Sequence, residues 1–442
     1  MKLWDKGFAT DAFVEEFTVG RDRELDLYLA EADVLGNMAH MKMLHSIGLL
    51  STEDAEALSK GLKEIYAEVQ RGEFAIEEGV EDVHSQVEFM LTERCGDAGK
   101  RIHTGRSRND QVMVDLKLFS RSALIALQEG VEALFKALMA KAEEYKDVLM
   151  PGYTHQQVAM PSSFGMWLSA YAEALADDLL MLRVAYDLVN TNPLGSGAGY
   201  GSSVPLNRTM TTRLLGFEDL AYNSMYAQMQ RGKTERTVLT AIAAVAATVG
   251  RLAQDVCLYS CANFGFVKLP DAFTTGSSIM PHKKNPDIFE LIRAKCNRMQ
   301  AQPMEVTLIM TNLPSGYFRD MQLTKEIYVP AFKEIADVLR MAEAGISQMW
   351  INRDILADEK YKYLFTVEDV NDAVAQGVPF RDAYREVGMR VQNGTYEHDG
   401  RELNHTHEGS IGNLCLNQIV AKFERHKFDY AEALEAEHRL ME

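Results

Sequence analysis

The sequence predicts an all-α fold built around a bundle of long helices. Alternating strand-like runs bounded by turn signals are scarce along its 442 residues. All eleven prolines lie between Pro151 and Pro379, so helices in the first third of the chain can run without that interruption. Apolar stripes at helical spacing extend over several turns in the middle of the chain. Helices of that length favour an elongated bundle.

Caps and apolar stripes predict the first helices. A cap at Ser51, just past the break at Gly48, begins a helix in an N-terminal helical unit. A long helix is expected over about Ser122–Val148, and another after Pro161, where apolar residues repeat at helical spacing. That stripe consists of Leu168, Tyr171, Leu175, Leu179, Leu182, Tyr186 and Val189.

The clearest helix is predicted from Thr234 to about Asn263, where apolar residues step by four and three in turn. Its stripe is formed by Val238, Ile242, Val245, Val249, Leu252, Val256 and Tyr259. A further helix is expected from Pro286, with Asn285 as its N-cap and Asp287 in its first turn. The broad apolar faces favour subunit association, and a monomeric bundle with thick cover also fits them.

The length of the chain predicts more than one domain, because one hydrophobic core rarely organises 442 residues. Changes in pattern divide the chain into an N-terminal helical domain (residues 1–105), a central long-helix bundle (106–355) and a small C-terminal helical domain (356–442). His405 and His407 in the last of these are expected on the surface rather than as metal ligands.

The composition excludes several classes of partner. A formal charge of −18 argues against a general binder of nucleic acid or of anionic membranes, so cations for an anionic substrate would have to gather in one pocket. No run of about 20 apolar residues predicts a membrane span. The five scattered cysteines fit reduced thiols in a cytoplasm. Cys257 and Cys261 lie one helical turn apart, but no second pair completes a zinc site.

Four polar segments interrupt the helical pattern and are candidates for function. Their sequences are HTGRSRNDQ (103–111), PGYTHQQ (151–157), NPLGSGAGYGSSVPLN (192–207) and TGSSIMPHKKNPD (275–287). The first offers arginine forks that suit a carboxylate, although an exposed charge cluster has the same composition. The third is rich in glycine but carries no Walker motif, so a helix-connecting loop is the better interpretation.

The other two segments carry candidate reactive side chains. His155 lies in a polar turn rather than on an apolar stripe, which favours chemistry over a structural role. Around Ser277, a polar stretch leads to Lys283, Lys284 and a helix N-terminus, an arrangement that stabilises negative charge. A mobile lid that brings a serine to an anionic substrate fits this segment, and an ordinary basic loop fits its spacing as well.

Together these segments resemble the fumarase/aspartase superfamily, and within it the argininosuccinate lyase branch. GSSIMPHKKNPD matches the superfamily signature GSSxMPxKxN, whereas HTGRSRNDQV, MPGYTHQQ and KKNPDxxELIR point to that branch. The resemblance runs from about Asp22 to Lys325. It implies a reversible anti β-elimination that splits argininosuccinate into arginine and fumarate, with no metal or organic cofactor.

The resemblance also implies roles for individual residues. Ser277 would be the general base, activated by Lys283 and the neighbouring helix N-terminus. His155 would assist protonation of the leaving guanidino group, and Glu290 would orient that histidine. Substrate-binding positions match Thr18, Asn109, Thr154, Tyr317, Gln322 and Lys325, carboxylate partners match Arg106, Arg108, Lys283 and Asn285, and neighbouring positions match Ser107 and Ser278.

In this superfamily the fold has three mostly helical domains, and the central helices of four subunits form a twenty-helix core. Each active site combines segments of three subunits, which implies a homotetramer with shared sites. The chain departs from the branch at Gln156, where many relatives have Leu, at His282, where many have Gln, and over residues 230–236. Adenylosuccinate lyase and a crystallin-like structural protein on the same scaffold are the alternatives.

Overall fold

The computed structural model describes residues 12–400, 403 and 405–442, and the described chain is mainly helical. Its six strands are short and form three two-stranded sheets. The predicted all-α fold is therefore confirmed. Short 3₁₀ helices occur at Asp26–Leu29, Asp271–Phe273, Arg319–Leu323, Ile355–Ala357 and Glu359–Tyr361.

Six helices precede the bundle. They are α1 (Ala12–Val19), α2 (Asp22–Leu25), α3 (Ala30–Ser46), α4 (Thr52–Gln70), α5 (Val83–Cys95) and α6 (Asp97–Arg101). Ser51 caps α4 as predicted, because its hydroxyl accepts a hydrogen bond from the Asp54 amide at 3.0 Å. Asp82 caps α5 in the same way, by accepting from the Ser85 amide at 2.9 Å.

Helix α7 (Arg108–Glu144) has 37 residues, so it begins well before the predicted start at Ser122. Ser107 and Asp110 form a capping box at its N-terminus, and the last four residues of the polar segment 103–111 are its first turn. At 1.5 Å per residue the helix is about 55 Å long. It spans the whole bundle.

A hairpin follows α7. It consists of β1 (Leu149–Thr154) and β2 (Gln157–Ser163), and leads into α8 (Phe164–Val189), which packs along α7. Backbone amides of Phe164 and Gly165 donate to the carbonyls of Val148 and Tyr145, which ties the base of the hairpin to the end of α7. Shorter elements come next: β3 (Thr191–Asn192), α9 (Arg208–Leu214), β4 (Asp219–Leu220) and α10 (Ser224–Met229).

The remaining bundle helices are α11 (Lys233–Tyr259), α12 (Asp287–Met299), α13 (Gln302–Met310) and α14 (Thr324–Gln348). The strands β5 (Val267–Lys268) and β6 (Trp350–Ile351) pair where α11 and α14 end. By length and composition alone α11 could cross a membrane, but half of its most apolar window is buried inside the protein, as in the core helix of a globular fold.

The predicted start of α12 is wrong by one residue. Pro286 is the N-cap and Asp287 the first helical residue, whereas Asn285 lies outside the helix. The backbone of Asn285 instead pairs with Thr275, with amide-to-carbonyl distances of 2.8 and 3.1 Å. This bridge closes the 275–285 loop, and a long-range pairing of that kind overrides the local capping preference.

The C-terminal part contains α15 (Thr366–Ala375), α16 (Phe380–Gln392), α17 (Leu416–His426) and α18 (Ala431–Met441). Val370, Ala383, Val387 and Tyr396 form a small separate core. Helices α17 and α18 add Ile419, Phe423 and Leu440 to the main core. The division of the chain into domains 1–105, 106–355 and 356–442 stays a prediction.

The surface position expected for His405 is wrong. This side chain is partly buried, with Nδ1 2.7 Å from the Ser410 hydroxyl and Nε2 3.0 Å from the Glu368 carboxylate. His407 is exposed, as expected. The sequence around His405 carries no apolar periodicity, so its contacts with α15 could not be predicted.

Candidate active site

A cavity of about 170 Å³ lies at one end of the bundle, where α7 and α14 begin and where residue 231 leads into α11. It is lined by Asp22, Asp26, Glu81, Asp82, His84, Arg108, Asn109, Val112, Arg231, Tyr317, Arg319, Gln322 and Lys325. Five of these are predicted site residues from two distant parts of the sequence: Arg108, Asn109, Tyr317, Gln322 and Lys325.

The first turn of α7 brings Arg108 and Asn109 to the cavity. The Arg108 guanidinium donates to the Glu81 carboxylate at 3.0 Å and also contacts Asp82. Because the capping box fixes the start of the helix, these two side chains leave a rigid backbone.

The segment before α14 brings Tyr317 and Gln322, and the first turn of α14 brings Lys325. Gln322 donates from its amide nitrogen to the carbonyls of Thr18 and Val19 at 3.0 and 3.1 Å. The Lys325 ammonium lies 2.6 Å from the carboxylates of both Asp22 and Asp26. The segment is thus tied to the N-terminal residues by hydrogen bonds and ion pairs.

The expected gathering of cations is present, but the cations are not free. Four basic residues line the cavity together with four acidic ones. Arg319 lies 3.1 Å from Glu81, and Arg231 lies 2.8 Å from Glu235. The cavity is therefore a mixed-charge site in which protein carboxylates already neutralise the cations.

The sequence did not predict eight lining residues, the apolar Val112 and seven polar ones: Asp22, Asp26, Glu81, Asp82, His84, Arg231 and Arg319. An anionic substrate predicts cationic side chains in its binding site, so it gives no reason to expect carboxylates there. The run Glu81-Asp82-Val83-His84 was the available signal, since it places two carboxylates and an imidazole within four residues. Arg231 lies in the segment 230–236 that departs from the family pattern.

A buried charged cluster supports the wall of the cavity. Nδ1 of His84 lies 2.6 Å from the Asp33 carboxylate and 3.3 Å from that of Asp115. Burial disfavours the imidazolium, but the charge of Asp33 and its hydrogen bond, with Asp115, outweigh burial and raise the pKa of His84 to about 8. These three groups are close enough to hold a metal ion, yet the 2.6 Å contact fits a shared proton in that place.

Arg106, Ser107 and Thr18, predicted near substrate, make contacts within the chain. The Arg106 guanidinium donates to the Asn37 side chain at 2.6 Å and to the Ile102 carbonyl at 3.0 Å, and burial lowers its pKa. Ser107 caps α7. The Thr18 hydroxyl donates to the Val14 carbonyl at 2.7 Å, and its own carbonyl, rather than its side chain, meets Gln322.

The remaining candidates lie at the opposite end of the bundle. Thr154 and His155 are exposed at the tip of the hairpin. His155 and Gln156 form its two-residue turn with φ angles of 52° and 60°. Residues other than glycine pay about 1–2 kcal/mol each for this left-handed conformation, and such strain is common at functional sites.

The loop that contains Ser277 begins beyond the end of α11. Amides of Met280 and Ile279 donate to the Ser277 hydroxyl oxygen at 3.1 and 3.4 Å. These donors would stabilise negative charge on that oxygen. Ser278, Lys283 and Glu290 are exposed, and Asn285 closes the loop. Within the described ranges, Glu290 makes no hydrogen bond or ion pair with His155.

The length of α7 separates these two groups of candidates. Asn109 lies in the first turn of a helix about 55 Å long, and the hairpin starts at its other end. The six residues of β1 reach only about 20 Å. Even a hairpin folded straight back would leave His155 more than about 20 Å from Asn109. One chain therefore cannot bring both into the same site.

Comparison with solved structures defines the class of fold. An EDDS lyase in complex with formate matches with a TM-score of 0.78 at 22% identity, covering 98% of this chain and 94% of that one. A recombinant class II fumarase from Schistosoma mansoni matches with a TM-score of 0.70 at 16% identity, covering 93% and 94%. A family model described as lyase matches residues 6–301. The fold is that of the fumarase-type lyases.

Sequence relatives specify the branch. Argininosuccinate lyases of Bacteroides fragilis and Bacteroides thetaiotaomicron are 59% and 60% identical, over 96% and 95% of this chain and 95% and 94% of their own lengths. That of Parabacteroides distasonis is 58% identical over 100% of this chain and 99% of its own. The chain belongs to the argininosuccinate lyase family, which confirms the resemblance predicted from the polar segments.

Proposed function

We propose that the protein cleaves argininosuccinate reversibly into arginine and fumarate, as an enzyme of arginine biosynthesis. The observation that carries the proposal is the cavity, in which family positions from two distant segments, Asn109 with Tyr317, Gln322 and Lys325, face one another. Relatives that carry the name argininosuccinate lyase are 58–60% identical over nearly the whole chain.

The reaction requires a base, an acid and stabilisation of an intermediate with negative charge. The proton to be removed lies beside a carboxylate, so its loss gives a carbanion-like dianion. Ser277 is the proposed base, since two backbone amides already point at its hydroxyl oxygen. His155 is the proposed acid for the departing guanidino nitrogen, with Glu290 as its orienting carboxylate. No step requires a metal or an organic cofactor.

The mixed charges of the cavity fit the proposed substrate. Argininosuccinate carries three carboxylates, an ammonium group and a guanidinium group, so it presents both signs of charge. Arg108 and Lys325 can bind carboxylates, whereas Asp22 and Asp26 can bind the cationic groups. A simple dicarboxylate would leave the acidic side of the cavity without a partner.

We propose a homotetramer with shared active sites, in which the central helices of four subunits form a twenty-helix core. The length of α7 supports this assembly, because the acid and the base must meet the cavity of another chain. Exposed apolar side chains support it too, since a lone bundle would leave them in water. They include Leu180, Met181, Val184 and Leu188 on α8, Leu291 on α12, and Met304 and Leu308 on α13.

A cytoplasmic location is also part of the proposal. All five cysteines are free thiols in the structure. Unpaired thiols are typical of a reducing compartment.

The activity test follows fumarate absorbance after argininosuccinate is added to the purified protein. Ser277→Ala is expected to lower kcat by at least a hundredfold without changing oligomeric state, whereas Ser278→Ala serves as the neighbouring control. Fumarate from adenylosuccinate alone would assign the rival activity. No fumarate from either compound would favour a structural protein on this scaffold.

Shared sites can be tested by mixing inactive variants. Asn109→Ala and His155→Asn are each expected to abolish turnover, and co-assembled chains should regain part of it because some sites receive both intact residues. Refolding each variant alone is the control. A mixture as inactive as its components would contradict the proposed sharing.

A further inference from the structure

The turn at the tip of the β1–β2 hairpin has an unusual composition. Thr154 pairs with Gln157, which leaves His155 and Gln156 as the two central residues, and both have positive φ. Hairpin turns of this kind favour Asn-Gly or Asp-Gly, because glycine and short polar residues tolerate the left-handed region. A histidine followed by a glutamine is a costly choice there.

The strand residues next to the turn hold this conformation. A Cβ atom at Gly152 would lie only 2.7 Å from the Met160 carbonyl oxygen, so the two strands approach closely there. The Tyr153 ring packs against Phe264, with ring centroids 5.4 Å apart, and its hydroxyl lies 3.3 Å from that of Tyr361. A strained turn persists only where the surrounding structure determines it in this way.

The two side chains at the tip do not contribute to folding of the chain. His155 and Gln156 are exposed, and throughout the described residues neither side chain makes a hydrogen bond or an ion pair. No side-chain contact of His155 or Gln156 within the described residues therefore explains why these two positions are left-handed. The left-handed conformation does fix the direction in which the two side chains leave the backbone.

We infer that the left-handed turn preorganises His155 for proton transfer and that Gln156 is a positioning residue for it. The inference rests on the proposed function, in which His155 is the acid. The strand contacts select the left-handed conformation, and the Cβ of Gln156 reduces the number of other conformations that the turn can adopt. A turn that already holds one conformation loses less conformational entropy when the imidazole contacts the leaving nitrogen.

The test replaces Gln156 by glycine, leucine and asparagine. Glycine adopts the left-handed region without cost but also many other conformations, so Gln156→Gly is expected to lower kcat about tenfold, with KM within twofold and no loss of thermal stability. Gln156→Leu and Gln156→Asn keep a Cβ and should stay within about threefold of the original kcat.

The outcomes separate this inference from the proposed function. Fumarate release by the unaltered protein tests the activity by itself. If Gln156→Gly left kcat unchanged, the positioning role would be overturned. If Gln156→Leu were as slow as Gln156→Gly, that role would also be overturned, because the loss of rate would then come from a missing contact of the Gln156 amide group. Cys415→Gly is the matched control, since Cys415 has a φ of 56° and lies beside α17, remote in sequence from the hairpin. It should leave kcat unchanged.

Discussion

Lys117 provides a test of the buried electrostatics of the bundle. This α7 residue is 1% exposed, and its ammonium donates to the Leu188 carbonyl at 3.2 Å and to the Thr191 hydroxyl. In the described part of the chain no carboxylate lies within 4 Å of it, so burial lowers the pKa of Lys117 to about 7, with Glu235 opposing weakly. The unfolded chain would hold the proton up to about pH 10.5.

The sign follows from these two values. Between pH 7 and 9 the unfolded state binds about one more proton than the folded state, so this group makes the free energy of unfolding rise with pH. The slope is about 1.4 kcal/mol per pH unit, which gives about 2–3 kcal/mol over the interval. The contribution is lost as the pH falls from 10.5 through 7.

Lys117→Met removes the titrating group and keeps an unbranched chain of similar length. Urea unfolding of both proteins at pH 7, 8 and 9, at one protomer concentration, should show the original protein gaining about 2–3 kcal/mol relative to the variant. Parallel pH profiles for the two proteins would refute the reasoning, because they would mean that Lys117 keeps its proton in the folded state.

Three further outcomes are expected. Asp110→Asn should lower the free energy of unfolding, measured by urea titration, by about 2–3 kcal/mol. Both carboxylate oxygens of the buried Asp110 accept hydrogen bonds, from three backbone amides in all, whereas asparagine has only one oxygen that can accept. Unchanged stability would contradict this reasoning. The His84 imidazole should titrate near pH 8 by NMR, and neutrality at pH 7 would contradict the cluster. Gly152→Ala should lower the melting temperature, because its Cβ would meet the Met160 carbonyl at 2.7 Å; an unaltered temperature would show that the strands can separate.

The helices of the bundle were predictable where one apolar stripe decided them. The stripe of α11 predicted Thr234 to Asn263, against the observed Lys233–Tyr259. Helix α7 was truncated in the prediction because its first turns bury Asp110, Asp115 and Lys117, whose partners come from other parts of the chain. Polar residues that find distant partners look like a loop when only neighbours in sequence are considered.

Family motifs predicted the candidate site as a set of residues, but they could not predict how those residues are arranged in space. Family motifs selected Asn109 and Tyr317, and the structure brings both to one cavity. The same motifs selected Ser277 and His155, which lie at the other end of the bundle. Sequence motifs do not show that the full length of α7 separates these two pairs of residues. Nor do they show that Asp26, many residues away, neutralises Lys325.

Because the cavity contains ion pairs between its own side chains, a charged ligand can bind there by replacing one partner of a pair. Lys325 is held by Asp22 and Asp26, so an entering ligand can take the lysine only by releasing those carboxylates to a cation. A zwitterion supplies an anionic group for the lysine and a cationic group for the carboxylates at the same time. Chloride or phosphate supplies only the anion and leaves the carboxylates without a partner. When the products leave, the internal pairs close again, and the emptied site needs no counterions from the solvent.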